Sequence, residues 1–153
     1  TSVKTLIIAF VALRNYEYIN FLYKDKKFIK LKFIKKNEII GWSIAVCNKV
    51  NNHKHFGNMN LGSIIDCLAL KDKEVNIIKK TLKILETEGA DLVVSNQSHI
   101  QWKKAFWKNG FLRGPSNFIF ASSEPLSKKL GFQNKLNDDM HITRGDGDGP
   151  INL

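Results

Sequence analysis

The chain has 153 residues, 43% hydrophobic and 25% charged, the size and balance of one soluble domain with a single core. Its longest apolar run, residues 6–13, is too short for the roughly 20 residues that a helix needs to cross a bilayer, and no charged, apolar, small-residue leader precedes it; a soluble, unexported, cytoplasmic protein without a membrane partner is expected. The formal charge of +10 raises a nucleic-acid role, but 21 lysines stand against three arginines, and arginine is the residue that forks onto phosphate and reads guanine, so a solvated basic surface is expected before a nucleic-acid site.

Residues 4–13 are β-branched-rich and nearly continuously apolar, as in a buried strand or a short buried helix. Tyr16, Ile19 and Tyr23, with Phe21 and Leu22, predict a helical turn or two. In KKFIKLKFIKK, Phe28, Lys30 and Lys32 oppose Ile29, Leu31 and Phe33 in period two, which predicts a half-buried strand with a lysine face. A turn at Asn37-Glu38 leads into IIGWSIAVCN, making residues 27–48 a hairpin, and the polar run NKVNNHKHFGNMN reads as a longer connection. The strand 63–70 follows. Asp72 is placed to cap a helix whose Val75, Ile78, Leu82 and Leu85 form one stripe against a sheet, with Gly89 as its left-handed stop.

The strand 90–95 comes next, parallel to 63–70 through a right-handed crossover. Ser98-His99-Ile100-Gln101 has the form of a capping box, opening a second helix at His99 that stops at Gly110. NFIFAS then predicts a strand, residues 125–130 a helical turn and residues 140–143 a short closing strand, while the tail is loop. No internal repeat or linker divides the chain. Cys47 and Cys67 lie inside strand-like segments without ligand spacing, as buried reduced thiols would. These elements give an α/β (α+β) fold class, a mixed, mostly antiparallel sheet flanked by helices.

The order GSIIDCLAL, KEVNIIKKTLKILE-x-Gly, ADLVVS, HIQWKKAFWKN-Gly-Phe resembles the acetyl-coenzyme A binding half of the GNAT superfamily N-acetyltransferases, over residues 27–122. The resemblance implies one domain over 1–153, reduced at its amino end compared with the family, that moves an acetyl or other acyl group from coenzyme A to a small-molecule amine. A non-catalytic accessory domain of the same fold is the alternative, and a homodimer is a further expectation. It also implies that Leu68, Ala69 and Leu70 lie on the strand whose backbone pairs with the pantetheine arm, although plain sheet interior explains such residues equally. The family's glycine-rich pyrophosphate loop falls on residues 71–76, which contain no glycine; the helix-start amides with Lys71 and Lys73 remain to meet a phosphate, beside Asp72 and Glu74. The family's tyrosine, which protonates the departing thiolate, falls on Phe106, a residue with no proton to give.

The resemblance also puts Asp66 mid-strand where an acidic residue of the family, or a water it holds, can deprotonate the amine, and inward-facing among apolar neighbours it would have a raised pKa suited to a base; otherwise it is a strand-face carboxylate in water or hydrogen-bonded to a neighbouring strand. Asn96 and Ser98 end the second parallel strand, where ligands gather in open α/β sheets; Ser98 is also the expected helix cap. His53 and His55 lack a third metal ligand, and Asp146 and Asp148 lack the glutamate that closes a calcium loop, so no metal site is expected.

Overall fold

A computed structural model describes residues 10–11, 14–114, 123–129 and 140–146. Its main sheet has four strands in the order β2-β3-β4-β5, with β2 Ile29–Lys35, β3 Glu38–His53, β4 Gly57–Ala69 and β5 Leu92–Ser95. β2, β3 and β4 are antiparallel, and β5 runs parallel to β4. A separate parallel pair joins β1, Phe10–Val11, to β6, Met140–His141. The helices are α1 Tyr16–Leu22, α2 Glu74–Thr87, α3 Ile100–Lys108 and α4 Glu124–Lys129, with a 3-10 turn at Arg144–Asp146. The mixed sheet flanked by helices matches the expected α/β class, and no described helix is long and apolar enough to cross a membrane.

The two faces of the sheet bury different clusters. On one face, Ala45, Ile64, Cys67 and Ala69 pack with Ile77, Ile78 and Leu85 of α2 and with Trp102, Ala105 and Phe106 of α3. On the other, Ile44, Val46 and Ile65 pack with Tyr23, at the end of α1, and Phe28. Within the first cluster Ser43 Oγ and Thr81 Oγ1 lie 2.7 Å apart, and Thr81 passes its proton to the Ile77 carbonyl at 2.9 Å. Ser43 is thus the donor of that pair, and two buried hydroxyls are satisfied within the core. Lys30 and Lys32 of β2 point to solvent as expected, whereas Phe28, expected on the same face, is buried; Gly89 and Gly110 take the left-handed conformation that ends α2 and α3.

Several expectations change. The first hairpin turns at Lys36 and Asn37, both at positive φ, and Glu38 already belongs to β3. The polar run 48–60 is a ribbon: β3 and β4 pair with each other out to His53 and Gly57, beyond the ends of β2 and β5. A two-stranded ribbon with solvent on both faces needs no apolar alternation, which is why its sequence reads as loop. The NFIFAS strand and most of residues 4–13 lie outside the described residues.

Asp72 does not cap α2; it takes φ +64°, and Lys73 holds the N-cap position without a side-chain bond. The stripe of α2 is rotated, with Ile77, Ile78, Thr81 and Leu85 fully buried and Leu82 half-buried beside a groove lined also by Lys79, Lys83, Glu86, Ala90 and Val93. Ile78→Ala should therefore cost about 2–5 kcal/mol, Leu82→Ala less than half as much, and Lys83→Ala under about 0.5 kcal/mol. Urea unfolding of the three variants checks this order, and equal losses for Ile78 and Leu82 would contradict the rotated stripe.

Candidate functional site

β4 and β5 pair from Leu61↔Leu92 to Ile64↔Ser95 and no further. Two local features account for the stop. The β3–β4 register shifts so that Ile44 faces Asp66 while Ala45 faces Ile64, leaving Ile65 as the extra residue of a β-bulge, which bends its strand. Ser95 Oγ also donates to the Ile64 carbonyl at 2.8 Å, so a side chain occupies the last rung. Beyond it β4 continues to Ala69 while the other chain leaves toward α3, opening a cleft between them.

The cleft's β4 wall is set by backbone parity. Leu70 N–H donates to the Ile40 carbonyl at 2.9 Å, and the alternation of an antiparallel ladder then turns the backbone of Leu68 toward β3 as well. Of the three strand residues expected to pair with a ligand, Ala69 alone directs its N–H and carbonyl toward the cleft; the other two are committed to the sheet. At the far end of β4, Lys73 N–H closes a turn on the Leu70 carbonyl at 3.0 Å. No side chain caps the first amides of α2, with exposed Lys71 and half-buried Lys73 beside them. The positive φ of Asp72 supplies the left-handed step for which a glycine is the usual residue.

Asp66 sits at the bulge and is 3% exposed. Arg14 Nε donates to both its oxygens, at 3.1 and 2.9 Å, and the Cys67 amide donates to Oδ1 at 2.8 Å. Arg14 Nη2 meanwhile donates to Asp146 Oδ2 at 2.6 Å and lies 3.4 Å from Thr143 Oγ1. Burial pushes the Asp66 carboxyl up to about 6 against the pull of Arg14. Burial opposes the charge on Arg14, yet the two carboxylates together hold its pKa above the ordinary value. Tyr23 lies against this cluster with its hydroxyl buried and without a partner, and its pKa is raised by burial and then by Asp66. A Cβ at position 145 would collide with that hydroxyl, so glycine is required there.

The remaining expected residues are divided. Ser98 is not the cap of α3: His99 is, accepting from the Gln101 amide at 3.2 Å. Ser98 Oγ instead donates to the Met140 carbonyl at 2.6 Å and accepts from the Ile142 amide at 2.7 Å, fastening the end of β5 to the C-terminal segment. Asn96 is half-buried between β5 and that anchor. Phe106 is 7% exposed and stacks edge-on with Phe111 at 4.7 Å, so both it and Trp102 are core. His53 and His55 lie at the ribbon tip, and no cluster of three metal-ligating side chains occurs among the described residues. Asp146 belongs to the Arg14 cluster, and Asp148 lies outside the described residues.

Sequence reasoning missed Arg14, Tyr23, Thr143 and His141. His141 is fully buried and stacks on Trp102 at 5.8 Å and 18°. Its Nε2 donates to Gln97 Oε1 at 2.9 Å, leaving Nδ1 buried without a partner. Nothing local marks these residues, because their partners are far away in sequence; the scarcity of arginine was the one available signal.

Comparison with solved structures places the same fold among N-acetyltransferases. A ribosomal-protein-alanine N-acetyltransferase from Brucella melitensis biovar Abortus 2308 matches with TM-score 0.54 and 13% identity, over 69% of this chain and 79% of that one. An aminoglycoside N-acetyltransferase, AAC(6')-Iy, in complex with CoA, matches with TM-score 0.53 and 12% identity, over 71% of this chain and 92% of that one. A tetramutant of the BH1408 protein from Bacillus halodurans matches with TM-score 0.54 and 12% identity, over 72% and 75%. The fold is thus GNAT-like, of the acyl-CoA N-acyltransferase type. No protein-family model matches the sequence, nor does any curated protein sequence.

Burial, followed by the charge of Arg14, pushes His141 down to about 3 from an ordinary 6.5. The folded ring stays neutral while the unfolded chain takes up a proton below about 6.5, so this contribution to stability is complete above that pH and is lost toward 3. Asp66 acts oppositely between about 3.8 and 6, its raised pKa favouring the folded state at lower pH. A variant separates them. The stability advantage of the parent over His141→Gln should shrink by about 1.4 kcal/mol per pH unit as pH falls below 6.5, read by urea unfolding from pH 7 to 4. A constant difference would mean that His141 titrates normally.

Proposed function

We propose that the domain binds an acyl-coenzyme A along the β4 wall of the cleft and passes the acyl group to a small-molecule amine. The observation that carries this reading is the divergence of β4 from β5 beyond Ile64 and Ser95, in a fold whose neighbours include an acetyltransferase in complex with CoA. The residues present fit such a ligand. Ala69 offers a backbone donor and acceptor to an extended amide-bearing arm, as an added strand would use. The uncapped amides of α2 and the ammonium groups of Lys71 and Lys73 offer charge-assisted hydrogen bonds to a pyrophosphate. When bound, the thioester supplies an activated acyl group that an amine attacks directly.

Proton handling differs from what the sequence resemblance implies. Asp66 has both oxygens committed to Arg14 within a buried cluster, so in this reading it acts as a positioning residue for the cleft and not as the base. Water then takes the proton of the attacking amine. Phe106 provides no acid for the thiolate, which leaves as the anion and takes its proton from solvent; without a protein base, the chain suits an acceptor whose amine is already neutral. The same two facts favour a second reading, an accessory domain that binds acyl-coenzyme A without turnover. Asn96, half-buried at the end of β5, is proposed to contact the ligand from the opposite wall.

Acetyl-coenzyme A should raise the melting temperature by mass action on the native state. Lys73→Glu should weaken its affinity on the order of tenfold, as expected for loss of a charge-assisted bond, with little change in the unliganded melting temperature. No shift at millimolar ligand would defeat both coenzyme A readings. Steady-state assay of coenzyme A release with a panel of small amines separates transfer from binding alone.

A further inference from the structure

The open part of the cleft is crossed by a segment of the chain itself. On the β5 side, Thr143 bridges to Gln97, and Ser98 N–H donates to the Ile142 carbonyl at 3.0 Å. On the β4 side, Arg14 ties Asp146 to Asp66, with contacts of 2.6 and 2.9 Å. Residues 140–146 therefore lie between the strands beyond their last shared rung. That is where a ligand held by Ala69 would bring its reactive end.

We propose that residues 140–146 form a strap that closes the cleft against acyl-coenzyme A and lifts for the ligand to enter, with Arg14–Asp146 as its latch. This rests on the coenzyme A reading above. The closed arrangement carries a local penalty that a permanent closing strand would be expected to avoid. Two buried polar atoms lack partners, Tyr23 Oη under Gly145 and His141 Nδ1 within the strap, whereas such atoms are nearly always satisfied in folded proteins. Lifting the strap returns both to water and removes the cost of their desolvation. The closed state is held by the charge-assisted Arg14–Asp146 contact on the β4 side, by the Gln97, Ser98 and His141 hydrogen bonds on the β5 side and by a two-residue ladder to β1; of these, Arg14–Asp146 ties the segment through Arg14 to Asp66 on β4. An equilibrium between covered and open forms lowers apparent affinity in proportion to the open fraction, so weakening the latch strengthens binding.

Isothermal titration with acetyl-coenzyme A tests this in two variants. Asp146→Asn should bind on the order of tenfold tighter than the parent, the usual weight of one hydrogen bond to a charged group. Gln97→Cys/Thr143→Cys, in a Cys47→Ser background, places two thiols at an antiparallel pair whose spacing suits a disulfide. Reduced, it should bind; oxidised, it should lose at least tenfold in affinity and regain it on reduction. Equal affinity in both redox states, with Asp146→Asn unchanged from the parent, would overturn the strap while leaving the coenzyme A reading intact. Absence of binding in the parent, in Asp146→Asn and in the reduced double-cysteine form alike would overturn both.

Discussion

One guanidinium between two carboxylates organises this molecule. Arg14 reaches Asp66 across 52 residues and Asp146 across 132, so the segment before α1, the bulge of β4 and the C-terminal turn meet at a single cation. The side chains of Arg14 and Asp66 are 3% and 5% exposed, and removing one partner from such a cluster leaves an uncompensated buried charge, at about 3–5 kcal/mol. The net formal charge of the trio is −1 when both acids are ionised. Burial is the main physical reason why Asp66 holds its proton to an unusually high pH; Arg14 pulls the other way, and Asp146 adds a smaller push in the same direction as burial. The cluster is therefore a constraint on geometry before it is a source of chemistry, fixing where β4 bends and where the turn at Arg144–Asp146 is tied.

From that constraint follows the division of labour along β4. From Leu61 to Ile64 it is ordinary sheet, paired on both sides. Its second half keeps only the β3 partner, and parity leaves the Ala69 backbone facing the gap. On the α3 side, the core residues Trp102 and Phe106 share a cluster with Cys67 and Ala69 of this half.

Much of this was legible in the sequence because it rests on local periodicity. The β4–α2–β5–α3 succession follows from β-branched runs, three- and four-residue apolar steps and two terminal glycines. What failed depended on partners outside the local window. Ser98 has the spacing of a cap, yet its hydroxyl is drawn away by Met140 and Ile142, more than 40 residues distant, and His99 takes over the cap. Asp72 has the chemistry of a cap but is turned into the left-handed region by the tight return from β4. Asp66 stands out in the sequence as a carboxylate within an apolar strand, while the arginine that pairs with it lies 52 residues away on a segment with no periodic relation to it.

The spread of these contacts along the chain also orders the assembly of the fold. The β2–β3 and β3–β4 hairpins join neighbouring segments through short turns, so little loop entropy opposes their closure. The β4–β5 pairing must wait for α2 to form between them. The Arg14–Asp146 contact, closing almost the whole chain into one loop, gains nothing until its two ends have been delivered by the rest of the structure. Contacts made that late are absent from the folding transition state, and their strength governs how fast the native molecule comes apart more than how fast it forms. The buried cation is in this sense a determinant of the native state's lifetime.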